Sequence, residues 1–223
     1  MPKITRLPYF DKEKLLNPTF YRAYISESLN KAPYNALYKE DIYKTDFVKE
    51  FISHSKMILC PDAHYNIVLI GMPSCGKTTI GTELSHLLKK EFIDFDEEIV
   101  KTTHHSIPEL FSLYKEEGFR HIESIVCEKL SKKENCILST GGGIIKRIEN
   151  IEQLQENGLL LFIDRDLKHL ASSDLNRPLS SSKEAVEALY QQRYPCYLEY
   201  ADFLFKNNNS LTSIVKRIYQ TCK

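Results

Sequence analysis

Gly71, Gly76, Lys77 and Thr78 stand in the spacing G-x-x-x-x-G-K-[ST], filled here as Gly71-Met72-Pro73-Ser74-Cys75-Gly76-Lys77-Thr78. A loop of this composition wraps the phosphates of a nucleotide with backbone N–H groups, which side chains larger than glycine would keep at a distance. Lys77 then supplies a point charge for the β- and γ-phosphates. The Thr78 hydroxyl supplies an oxygen for Mg²⁺, with Thr79 next to it. The string alone also fits an ordinary glycine turn, so its flanks decide. Ile67-Val68-Leu69-Ile70 precedes it, a β-branched run suited to a strand buried on both faces. Ile80, Leu84, Leu87 and Leu88 follow at helical spacing over Lys77 to about Lys90. A strand-to-helix turn aims N–H groups and the positive end of a helix dipole at an anion, and the ligand expected is ATP or GTP.

Four further clusters bear on what receives the phosphoryl group. Asp94-Phe95-Asp96 closes an apolar run, and strand alternation would turn both carboxylates to one side of a sheet. One carboxylate could hold the metal and the other an attacking hydroxyl; capping of the next helix is the alternative. In Phe119-Arg120-His121-Ile122-Glu123, Arg120 can clamp a carboxylate in bidentate fashion, with Glu123 one turn on. Taken alone, such a pair is more often a surface ion pair. Ser139-Thr140-Gly141-Gly142-Gly143 strips side chains from a strand end, so a ring or carboxylate can approach the backbone. Arg177-Pro178 lies in a polar stretch, Ser172–Ser182, that reads as a lid, and Arg193 follows a helical stretch ahead of Tyr194-Pro195-Cys196-Tyr197. A lid arginine reaching the transferring group would act as an arginine finger in cis.

The elements that must hold these groups are short apolar runs alternating with helical stretches from residue 66 onward. That pattern predicts an α/β fold of three layers, a five-stranded parallel sheet with helices on both faces. The strands are expected at Ile67–Ile70, Phe92–Phe95, Cys136–Ser139, Leu159–Ile163 and Phe203–Phe205. Ser106-Ile107-Pro108-Glu109 reads as a capping box opening a helix. Residues 1–62 differ: rich in Tyr and Phe, without glycine, and with apolar residues at helical spacing, they read as an N-terminal helical extension. Residues 63–223 form the expected catalytic domain.

Composition excludes more than it assigns. Thirty basic and thirty acidic residues balance, which leaves no net electrostatic footprint for nucleic acid. The six cysteines lack C-x-x-C spacing, so neither a zinc site nor a disulfide framework is implied. Without a long apolar run or a signal-like N-terminus, a soluble cytoplasmic protein with no membrane partner is expected.

In this order and spacing the five motifs resemble the shikimate kinase family, from about Asn66 to the C-terminus. The resemblance implies phosphorylation of the 3-hydroxyl of shikimate by ATP with Mg²⁺, a step of chorismate and aromatic amino acid biosynthesis; a monomer is expected, with residues 1–62 open to contacts with a second copy or another enzyme. Gly71, Met72, Pro73, Ser74, Cys75, Gly76, Lys77, Thr78 and Thr79 would hold the nucleotide, and Thr78 and Asp94 the metal. Arg120 and Arg193 would grip the substrate carboxylate, Gly141, Gly142 and Gly143 would line the ring, and Asp96 would meet the reacting hydroxyl. Ile107, Phe111 and Phe119 would wall the pocket, Glu123 would contact the substrate or its arginine, and Arg177 would contact the phosphates. With Lys77 and Asp96, Arg177 completes the catalytic set. The chain departs from the family where Leu170 replaces an arginine associated with adenine, and where the lid over Ala171 to Asn176 is short. Asn207–Asn209 would offer an adenine-side loop. A kinase of another small hydroxy acid such as gluconate, or a shikimate-binding regulatory module without catalysis, are the alternatives.

Overall fold

In the computed structural model, residues 65–170 and 183–222 are described. The extension 1–62, the lid and Arg177 lie outside them. Five strands make one sheet: β1 (Asn66–Ile70), β2 (Glu91–Asp94), β3 (Cys136–Ser139), β4 (Gly158–Asp164) and β5 (Phe203–Lys206). Every pairing is parallel and the order is β2-β3-β1-β4-β5. Each expected strand is present: Cys136–Ser139 has the expected bounds, and no end of the others moves by more than one residue.

The order explains the composition of the strands. β1, β3 and β4 are interior and buried along their whole length, which is why they read as unbroken apolar runs rather than as alternation. The edge strands β2 and β5 are only partly buried. Val68 sits in register with Leu138 on one side and Leu160 on the other, at the centre of the core.

Helices α1 (Lys77–Leu88) and α7 (Leu211–Cys222) pack together, α1 over β1–β3 and α7 over β5. On β4 lie α4 (Ile148–Glu156) and α6 (Lys183–Tyr200), and α3 (Ile107–Ser131) packs on α4. The remaining helices are α2 (Phe95–Thr103), which packs on α3, and the short α5 (Leu167–Leu170). The result is the three-layer arrangement expected of alternating strands and helices.

The chain leaves β1 toward β2 and β3 on one side and reaches β4 and β5 on the other, so the strand order reverses beside β1. Ligands of open α/β sheets bind at the carboxyl ends of strands at such a point. There the glycine loops after β1 and β3 and the acidic turn after β2 come together.

Candidate active site

The loop after β1 is shaped by two glycines that no other residue could replace cheaply. Gly71 has φ +146°, and a Cβ there would lie 2.5 Å from the Ile163 carbonyl oxygen. Gly76, φ +101°, is the N-cap of α1 and makes no side-chain cap. The first N–H groups of α1 therefore carry no competing cap where a phosphate would sit. Lys77 is buried and folded back: its Nζ donates to the carbonyls of Gly71 at 3.0 Å and Met72 at 2.9 Å. These contacts hold the ammonium inside the loop. Met72 and Cys75 are buried beneath it, while Thr78 and Thr79 are exposed at the helix start. Asn207, just past β5, donates from Nδ2 to the Cys75 carbonyl at 2.8 Å, and Arg165 Nη1 reaches the Ser74 carbonyl at 3.5 Å. The asparagine run thus braces the back of the loop.

At the second cluster the structure corrects the strand reading. β2 ends at Asp94 and α2 begins at Phe95, so the carboxylates do not alternate along a strand. Asp94 is the N-cap of α2: its Oδ1 accepts the Asp96 N–H at 2.9 Å. Aspartate is a strong N-cap, and the buried Phe95 ring anchors the turn from below. The cap uses only one carboxylate oxygen, and the other, Asp94 Oδ2, accepts the Thr78 hydroxyl at 2.8 Å. An oxygen pair results at the mouth of the phosphate loop.

Arg120 and Glu123 are not a surface pair. Both are buried, 6% and 1% exposed, with Arg120 Nη1 donating to Glu123 Oε2 at 2.6 Å. The guanidinium carbon lies 5.0 Å from the Phe119 ring centroid and 6.0 Å from that of Phe111, and the two rings stack at 4.4 Å. Ile107, half-buried, opens the same helix. Burial pushes the Glu123 carboxyl up, the Arg120 charge pulls it down, and burial prevails; the nearby Asp96 charge adds to the rise. Glu116, one turn before Arg120, ion-pairs with Lys146 at 2.6 Å and approaches Arg120 Nε at 3.5 Å. Burial works to raise the Glu116 carboxyl, but Lys146 and Arg120 together hold it below the usual range.

The three glycines after β3 are each demanded by a different neighbour. A Cβ on Gly141 would come 2.8 Å from Glu123 Oε1 and 3.3 Å from Asp96 Oδ1. On Gly142 it would strike Pro73 of the phosphate loop at 2.7 Å, and on Gly143 the Arg120 guanidinium at 2.2 Å. Arg193 does not follow a helix but sits inside α6, which continues through Pro195. It is 3% exposed and donates from Nη1 to the Gly142 carbonyl at 3.0 Å. Its charge acts, as a minor influence, on both the Glu123 and the Glu116 carboxyl.

Four buried polar atoms here make no hydrogen bond within the protein: Arg193 Nε, Arg193 Nη2, Glu123 Oε1 and Arg120 Nε, the last meeting only the long 3.5 Å ion pair to Glu116. Such groups are rarely left unpaired, and three donors with one acceptor match an anion that also carries a hydroxyl. A separate cavity of about 510 Å³, bordered by His121, Glu128, Lys146 and Gln153, contains none of them.

Two positioning contacts went unassigned at the level of sequence. Glu116 could have been found four residues before Arg120 on one helical face, and Tyr197, whose hydroxyl meets the Gly142 carbonyl, four residues after Arg193.

Comparison with known proteins decides the family. The family model described as shikimate kinase matches residues 73–223. The chain belongs to the shikimate kinase family. A shikimate kinase of Clostridium beijerinckii is 43% identical over 155 residues, covering 68% of this chain and 91% of that protein. One from Burkholderia thailandensis is 37% identical over 164 residues, 70% of this chain and 89% of the other. Among solved structures, shikimate kinase from Acinetobacter baumannii in complex with shikimate superposes with a TM-score of 0.67 at 32% identity, covering 74% of this chain and 95% of that one. The chain is thus a shikimate kinase by relationship, an ATP-using enzyme of aromatic amino acid biosynthesis. No described helix is long and apolar enough to cross a membrane.

Proposed function

We propose that this shikimate kinase assembles its reaction from two half-sites, the phosphate loop for ATP and the Arg120–Arg193–glycine cluster for shikimate. The observation that supports the second assignment is that both arginines are buried and carry donors that make no hydrogen bond within the protein. A substrate carboxylate satisfies them and supplies the charge their burial lacks. Ring hydroxyls would meet Glu123 Oε1 and Asp96 beside the bare backbone of Gly141. Phe111, Phe119 and Ile107 would give the ring an apolar wall.

In the transfer step, Asp96 orients the 3-hydroxyl and accepts its proton as that oxygen bonds to the γ-phosphorus and the bond to ADP breaks. Lys77 exchanges its loop carbonyls for β- and γ-phosphate oxygens, a short move because the ammonium already lies inside the loop. Arg177 of the lid neutralises the transferring group, by the family's pattern. Catalysis is then positioning plus charge stabilisation, with water excluded by closure.

Mg²⁺ fits the donor set. Thr78 Oγ1 and Asp94 Oδ2 are hard oxygen donors 2.8 Å apart, and no cluster of three or more His, Cys, Asp or Glu side chains competes for a metal among the described residues. Magnesium bound to nucleotides takes one or two protein oxygens and completes its shell with phosphate and water. Held by Thr78 and Asp94, it would supply positive charge against the charge that develops on the phosphoryl group. A cytoplasmic place of action matches the dependence on ATP.

An ADP-release assay on the full-length protein tests the reading. MgATP with shikimate is expected to give turnover, and MgATP alone or with gluconate is expected to give little. ADP release indifferent to shikimate would overturn it, and tight shikimate binding without turnover would identify a non-catalytic module instead.

A further inference from the structure

Tyr197 is the largest fully buried side chain among the described residues, and its polar end points at the acceptor half-site. Its ring stacks on Phe162 of β4, with centroids 5.0 Å apart and planes at 27°. Its hydroxyl donates to the Gly142 carbonyl at 2.5 Å, the same oxygen that accepts Arg193 Nη1 at 3.0 Å. Spacing explains the pairing: Arg193 and Tyr197 lie four residues apart on α6 and share a face.

We propose that Tyr197 is a positioning residue for the acceptor, fixing the Gly142 carbonyl so that Arg193 presents its remaining N–H groups to the substrate carboxylate. The inference rests on the shikimate kinase reading. One carbonyl with two donors is held in direction as well as in distance, and its two lone pairs are then filled. Arg193 spends Nη1 on it, and its Nε and Nη2 find no hydrogen-bond acceptor in the protein. On its other side Gly142 is pressed against Pro73 of the phosphate loop. Tyr197 therefore sets one wall of the shikimate site from a rigid aromatic anchor in the sheet. Burial drives the phenol well above its ordinary pKa, so the hydroxyl remains a donor across the working pH range.

The test is full-length Tyr197→Phe, which keeps every ring contact and removes one oxygen, beside Ile218→Val, a core change in α7 with a comparable loss of stability expected. For Tyr197→Phe, the shikimate KM should rise roughly tenfold, the size expected when one buried hydrogen bond is lost. The MgATP KM should stay within about twofold and kcat should change less than the shikimate KM. Ile218→Val should lower Tm and leave the shikimate KM alone, since a purely structural effect shrinks the active fraction rather than the affinity. An unmoved shikimate KM in Tyr197→Phe, an equal rise in Ile218→Val, or a Tyr197→Phe chain that fails to fold would each overturn the positioning role. Absence of shikimate-dependent turnover in the native protein would overturn the family reading as well, whereas native turnover with an unmoved KM sinks only this inference.

Discussion

The proposed acceptor half-site is built around a buried guanidinium whose surroundings specify its shape as well as its charge. Arg120 is bound to Glu123 at 2.6 Å, lies over Phe119, and has the Gly143 backbone so close that a single added carbon would collide with it. A lysine would keep the charge beside Glu123 but lose the planar fork and the ring stacking. Arg120→Lys is therefore expected to raise the shikimate KM by at least ~10-fold, about 1.4 kcal/mol, with a smaller effect on the MgATP KM; steady-state kinetics with each substrate varied checks it. Equal changes in both constants would show that Arg120 serves the fold rather than the acceptor. The residue types at this site were readable in the sequence, since arginine, glutamate and triple glycine are unusual enough to mark it. Their burial was not, because a helical Arg–Glu pair looks the same on paper whether it faces water or a ligand.

At the scale of elements, α3 carries most of the acceptor wall, and its start is fixed by local chemistry. Ser106 Oγ accepts the Glu109 N–H at 3.4 Å while Glu109 Oε2 accepts the Ser106 N–H at 2.7 Å, with Pro108 in the first turn. Ser106→Ala should cost about 1 kcal/mol of unfolding free energy, read as a lower urea midpoint at unchanged slope. This helix start was legible because a capping box is a local signal. The helix does not run straight through: Lys115 breaks it with φ 57° and ψ −172°, a conformation that nothing in the residue type announces. Asp94-Phe95-Asp96 shows the same limit from the other side. An apolar residue between two carboxylates satisfies strand alternation on paper, yet the cap bond to the Asp96 N–H and the buried Phe95 settle it as a helix start.

For the molecule as a whole, the five strands and their parallel arrangement follow from unbroken apolar runs alternating with helices, and that part of the fold was plain in the chain, whereas the strand order was not. Contacts between distant loops were not. Pro73 against Gly142 and Tyr197 against the Gly142 carbonyl span dozens of residues and obey no periodicity. The core also explains the state of the thiols. Cys75, Cys127, Cys136 and Cys222 are buried, and burial raises the Cys75 and Cys136 thiols and pushes Cys127 up to about 12. Burial and a raised pKa both favour the protonated, unreactive thiol. Iodoacetamide at pH 8 should leave shikimate-dependent activity intact, with mass spectrometry finding Cys75 unmodified. Rapid inactivation with alkylation of Cys75 would contradict a closed phosphate loop.

The central claim is that unpaired donors on Arg120 and Arg193 await a carboxylate. Its most direct test compares kcat/KM for shikimate with that for shikimate methyl ester, which keeps the ring and hydroxyls but cannot carry the charge. At least a ~100-fold loss is expected, about 2.7 kcal/mol, the range of charged hydrogen bonds left unmade in a buried site. Equal kcat/KM for acid and ester would contradict the account.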